Sequence, residues 1–218
     1  MRIMLLGASG LVGQGVLQVL REASDVRHIV LPLRRPLDTT DPRIETHVVP
    51  DLRALHAGHP AMAGLDACLD CIGVLPGLSE AAFRAVTLDL NLHLAQAFAA
   101  ANPGGTFVYV SGAGSDPASR LMPLRVKGEI ERALQSLPIR TVVLRPGIVQ
   151  PVDGVRSPHA LRQVAYTVGG PVMGLARRLA PSTFTSTRAI GRAMLGAVRA
   201  GDGGAAMLEN ADIERLGS

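Results

Sequence analysis

The chain has 218 residues, 47% apolar and 18% charged, with a formal charge of +4. That is too apolar for a disordered chain, and long enough to bury roughly 70% of its unfolded surface without disulfides or metals. No apolar run reaches the ~18 residues of a membrane span, and six aromatics without a tryptophan supply no base-stacking platform, so neither membrane nor nucleic acid is expected as a partner.

The predicted elements alternate between strand and helix. Arg2–Leu6 reads as an apolar strand ending in a glycine turn. Leu11–Glu22 carries Leu11, Val12, Val16, Val19 and Leu20 on one helical face. Strands follow at His28–Leu33, Ile44–Val49 and Asp66–Ile72. Ser79 is the N-cap of a long helix running to Ala101, stopped by Asn102-Pro103-Gly104. Thr106–Ser111 is a strand, Pro123–Leu137 a helix with proline in its first turn, and Ile139–Leu144 another strand. Beyond Val149 the pattern loosens: Arg162–Leu179 reads as partly helical, Arg188–Arg199 as helical, and Ala205–Glu209 as a last strand. The order predicts an α/β, doubly wound Rossmann fold with a mostly parallel sheet. One domain, 1–218, is expected, with 150–218 contributing a substrate-side cap. The chain enters an apolar run at Ile3 and a glycine turn at Gly7, without room for a secretory signal, so a cytoplasmic protein is expected.

Gly7-Ala8-Ser9-Gly10-Leu11-Val12-Gly13 sits between the first strand and the first helix. In that setting a glycine triplet has a physical purpose. The first glycine turns tightly, the second admits a pyrophosphate to the backbone, and the third lets helix and strand pack closely. The helix N-terminus adds free N–H groups and a partial positive charge. The second strand then ends in Leu33-Arg34-Arg35-Pro36, and the first acid comes only at Asp38. An acid at this strand end would bind the ribose hydroxyl of NAD, whereas arginine grips a 2′-phosphate and stacks on adenine. NADP(H) is therefore expected in preference to NAD(H).

Cys68 and Cys71 form a C-x-x-C inside an apolar strand. Residues three apart on a strand point to opposite faces, with Cα atoms about 10 Å apart, beyond the ~7 Å limit for a disulfide. Structural cysteines are expected. His56 and His59 lie in a solvated loop, and no metal site is expected.

These motifs, followed in order by Asp51-Leu52, Cys71-Ile72-Gly73, Val110-Ser111, Val126-Lys127-Gly128-Glu129 and Leu144-Arg145-Pro146-Gly147, resemble the atypical short-chain dehydrogenase/reductases. Within them the chain looks like the Tat-interacting-protein-like oxidoreductases and the NmrA-like proteins. The resemblance covers about residues 2–150. It implies that Asp51-Leu52 borders the adenine, Cys71–Gly73 the cofactor ribose, and Pro146-Gly147-Ile148 the nicotinamide. It also implies a catalytic Ser111 and Lys127, in a family whose reactive group is Ser with Tyr-x-x-x-Lys. Here the tyrosine position is Pro123, which cannot donate a proton. Tyr109 faces the same side as Ser111 and is expected in the sheet layer. Tyr166 is the other phenol, Ser115 and Ser119 are turn or cap residues, and Met173 is a pocket or core residue. The implied function is an NADP(H)-binding oxidoreductase-like protein that reduces or isomerises a small carbonyl compound. The alternative is a catalytically silent NADPH sensor that binds a protein partner. A small-molecule substrate or a protein is thus the expected partner, with a homodimer left open. The basic residues sharpen the match: 21 of the 22 are arginine, and the single lysine, Lys127, falls at the family's ribose-binding position.

Overall fold

A computed structural model describes residues 1–74, 77–155, 183–201 and 207–217. Its elements are β1 (Arg2–Leu6), α1 (Leu11–Glu22), β2 (His28–Leu33), β3 (Ile44–Val48), β4 (Ala67–Asp70), α2 (Glu80–Arg84), α3 (Asn91–Ala101), β5 (Thr106–Val110), α4 (Met122–Gln135), β6 (Arg140–Arg145), β7 (Ile148–Gln150), β8 (Phe184–Ser186), α5 (Thr187–Arg199), β9 (Met207–Glu209) and α6 (Asn210–Gly217).

Seven strands form one sheet in the order β3-β2-β1-β4-β5-β6-β9, and every pairing is parallel. The chain winds outward from β1 through β2 and β3 on one side, and through β4, β5 and β6 on the other. That reversal makes the C-terminal edge between β1 and β4 the crevice where such sheets bind ligands.

The strand sequences are apolar on both sides because both faces are covered. Ile3, Leu5, Ile29, Leu31, Leu69 and Val108 face Val16 and Leu20 of α1 and Ile190 and Met194 of α5. Met4, Leu6, Val30, Cys68, Phe107 and Tyr109 face Leu94 and Phe98 of α3 and Ile130 and Leu134 of α4. Residues Thr187–Arg199 therefore lie beside α1 in the core, and β9 extends the sheet.

The long helix expected from Ser79 to Ala101 is present but not uniform. Ser79 caps α2 by accepting from the Ala82 amide at 3.3 Å. A π-helical stretch, Ala85–Leu90, then joins α2 to α3. Its wider turn adds a residue that a 3.6-residue period does not reveal. Two further features were not anticipated: the two-stranded parallel pair β7–β8, and α6. The expected helix at 162–179, Tyr166 and Met173 lie outside the described residues.

Candidate functional site

The glycine turn is built by close approach. Gly7 ends β1 with φ +74°, a left-handed conformation that glycine adopts without strain. A Cβ on Gly7 would stand 2.8 Å from the Cys71 carbonyl oxygen, and one on Gly13 would stand 2.1 Å from the Gly7 carbonyl oxygen. The Gly10 amide donates to the Gly7 carbonyl at 2.9 Å. Gly10 is the N-cap of α1, and no side chain caps the helix, so its first N–H groups remain available to an anion. Ala8 and Leu11 are buried, Ser9 is exposed, and Val12 packs against the core.

A cleft of about 840 Å³ lies between this turn and the end of β2, lined by Ala8, Ser9 and Gln14 on one side and Leu33, Arg34 and Arg35 on the other. Both arginines are exposed. Beyond the end of β3, the Asp51 carboxylate accepts from the Arg53 amide at 3.0 Å and starts a short 3₁₀ turn, while Leu52 packs against the core. The Cys71 amide donates to the Leu6 carbonyl at 3.1 Å, which holds the Cys71–Gly73 loop to β1. Gly73 has open space around it. The turn, the arginine pair and the two loops form a cradle that fits a dinucleotide.

Asp70, at the end of β4, is fully buried. One of its oxygens accepts from the Ile72 amide at 2.8 Å, and the other has no partner. Burial pushes this carboxyl up to about 7, against the pull of the Ile72 amide. Burial also pushes both thiols up, and Cys68 and Cys71 are free and pack on opposite faces of the sheet. They are structural, as their spacing predicts. The Nδ1 atoms of His56 and His59 accept backbone N–H bonds, and no metal-binding cluster exists among the described residues.

At the end of β5, Ser111 is buried and its hydroxyl donates to the Glu131 carboxylate of α4. The Ser115 hydroxyl lies 3.1 Å away and also contacts the Gly112 carbonyl at 2.7 Å. The Lys127 ammonium donates to the Ser111 carbonyl oxygen at 2.8 Å. Burial lowers the Lys127 amine below its usual range, and the nearby Glu131 opposes that shift. Glu131 in turn accepts from Arg145 at 2.6 Å, and Arg145 reaches Glu209 at 3.0 Å. Pro123 occupies the first turn of α4. Tyr109 is buried beside Asn91, its phenol pushed up chiefly by burial, so it stays neutral inside the sheet layer.

Beyond β6, the Pro146 carbonyl accepts from the Ala113 amide at 2.9 Å. The Gly147 amide donates to the Asn210 side chain at 2.7 Å, and Asn210 donates onward to the Phe184 carbonyl at 3.1 Å. Ile148 is exposed at the start of β7. The structure thus brings Gly7–Gly13, Arg34, Arg35, Asp51, Leu52, Cys71–Gly73, Ser111, Lys127 and Pro146–Ile148 to one edge of the sheet. Sequence reading missed Asp70, Glu131, Arg145 and Asn210. Of these, Glu131 was within reach, since it stands one helical turn beyond Lys127.

No protein-family model matches the chain. The mitochondrial protein fmp52 of Aspergillus clavatus is 30% identical over 232 residues, covering 99% of this chain and 97% of that protein. The chain belongs to the FMP52 family. The FMP52 protein of Coccidioides immitis is 35% identical over 162 residues, 66% of this chain but 64% of that relative, so this match spans just under two thirds of its length.

In fold, this FMP52-family chain is a Rossmann protein, similar in structure to short-chain dehydrogenase/reductases. MoeE5 in complex with UDP-glucuronic acid and NAD superposes with a TM-score of 0.71 at 18% identity, covering 96% of this chain and 76% of that one. A short-chain dehydrogenase from Burkholderia cenocepacia in complex with NADP superposes with a TM-score of 0.65 at 17% identity, covering 99% and 93%. The cytoplasmic expectation is overturned: the FMP52 relatives are named mitochondrial. The expectation rested on the apolar run at Ile3 and the glycine turn at Gly7, which bear only on a secretory signal and do not separate cytoplasm from mitochondrion.

Proposed function

We propose that the chain is a mitochondrial NADP(H)-binding oxidoreductase-like protein whose substrate is a small carbonyl compound. The observation that carries this reading is the cleft of about 840 Å³, with the glycine turn on one wall and Arg34 and Arg35 on the other. The uncapped start of α1 suits the pyrophosphate. The two guanidiniums suit a 2′-phosphate through paired donors, and Asp51-Leu52 borders the adenine. Lys127 holds the nicotinamide ribose, with Cys71–Gly73 and Pro146–Ile148 on either side.

A bound reduced nicotinamide supplies hydride to a carbonyl. The chain's own part is to orient the substrate and furnish a proton. Pro123 removes the phenol that the wider family uses. Ser111, the other expected catalytic group, spends its hydroxyl proton on Glu131, so its part is to fix the strand end beside Lys127. Those two observations favour a second reading, a catalytically silent NADPH sensor that docks a protein partner.

Titration of the purified protein with both cofactors tests the binding claim. NADPH is expected to bind at least about tenfold tighter than NADH, a difference of about 1.4 kcal/mol. Tighter NADH binding overturns the preference. Hydride exchange from NADPH to a panel of aldehydes, ketones and quinones separates the two readings: turnover supports the enzyme, and tight binding without turnover supports the sensor.

A further inference from the structure

We propose that Glu131 is the positioning residue of the Lys127 site, a buried carboxylate that fixes the place of the ammonium through Ser111 and supports its charge from one helical turn away. The proposal rests on the reading that Lys127 holds a dinucleotide. Its argument begins with a closed ring of contacts. Lys127 and Glu131 stand one turn apart on α4, so their side chains leave the helix on one face. Both then bind the same residue. The Lys127 ammonium donates to the Ser111 carbonyl oxygen at 2.8 Å, and the Ser111 hydroxyl donates to Glu131. Ser111 is held in turn by its amide, which donates to the Leu144 carbonyl at 2.8 Å. The ammonium therefore cannot leave Ser111 without breaking that bond.

Glu131 is 3% exposed. A carboxylate at that depth persists only when its oxygens are satisfied. Arg145 supplies hydrogen bonds at 2.6 and 3.2 Å, and Ser111 supplies another. A simple strut between α4 and β6 needs only the arginine. The serine hydroxyl is the added feature, and it ties the carboxylate to the residue whose carbonyl holds the lysine.

The charged and titratable groups around this centre come from four directions: Lys127 on α4, Tyr109 and Ser111 on and after β5, Arg145 on β6, and Glu209 on β9 behind Arg145. Two cations and two carboxylates balance. Removing the Glu131 charge leaves the desolvation of Lys127 unopposed, so the amine gives up its proton at lower pH.

The single lysine makes this directly measurable, because a 15Nζ-lysine label gives one signal in the whole chain. In Glu131→Gln the titration midpoint of that signal is expected to fall by about one pH unit, and the NADPH Kd to rise about tenfold at pH 8 but less at pH 6. Glu131→Asp restores part of both. An unmoved midpoint in a folded Glu131→Gln protein overturns the proposal. Should Glu131→Gln fail to fold, Ser111→Ala removes the bridge but leaves the Glu131 charge and its Arg145 pair intact; the NADPH Kd is expected to rise while the midpoint of the signal stays, and an unchanged Kd there also overturns the proposal. If the wild type fails to bind NADPH while the signal still moves, the proposed function falls and the positioning role stands. If NADPH binds and the signal does not move, the reverse holds.

Discussion

A side chain on Gly13 would meet the Gly7 carbonyl oxygen at 2.1 Å. The obstacle is backbone, so no rotamer can yield to it. Gly13→Ala is therefore expected to destabilise the fold by about 3 kcal/mol, read from chemical denaturation. Gly104→Ala is the control, because nothing lies within 4 Å of its added Cβ. A Gly13→Ala protein as stable as the control would show that helix and turn are not pressed together as described.

Arg34 and Arg35 stand exposed at the mouth of the cleft. Replacing both with alanine should weaken NADPH by about tenfold or more and leave NADH within about twofold, since only NADPH carries the extra phosphate. The NADPH loss should also shrink as salt is added, because exposed charges are screened. Equal losses for the two cofactors would place the phosphate elsewhere.

Asp70 makes stability depend on pH with a definite sign. Its carboxyl is raised to about 7 in the folded state from an unfolded value near 3.8. The folded state thus binds the extra proton between those values, so stability falls as pH rises from about 4 to about 7, then levels off. Asp70→Asn keeps an acceptor for the Ile72 amide and removes the titration. It should be more stable than the wild type by about 2 kcal/mol or more at pH 8 and nearly equal at pH 4. Denaturation midpoints across that range check it, and a parallel offset at all pH values would refute it.

Asn210 joins three segments through one side chain, since it accepts from Gly147 and donates to Phe184. Asn210→Ala leaves that amide and that carbonyl without their partners, at about 1–3 kcal/mol for each that stays buried. Faster hydrogen exchange at the Gly147 amide should accompany the loss. Unchanged exchange there would mean that Asn210 does not hold the Pro146–Ile148 segment.

Much of the fold was legible because its signals are local. β1, the glycine turn, α1 and β2 each follow from a few adjacent residues, and their bounds match the expected ones. The β7–β8 pair was not legible, because three-residue strands carry too little periodicity to register. The π-helical stretch was hidden for a similar reason: a single wider turn departs too briefly from the 3.6-residue period to register.

For this protein the amino-acid order alone determined the glycine turn between β1 and α1, the arginine pair opposite it, and the proline at position 123. Each of those depends on residues a few positions apart. Tertiary structure alone decided that Ser111 spends its hydroxyl on Glu131, that Asp70 is sealed from water, and that Asn210 holds Gly147 across 63 positions of chain. Burial and long-range pairing set those states, and both exist only once the sheet has brought distant residues to a common edge.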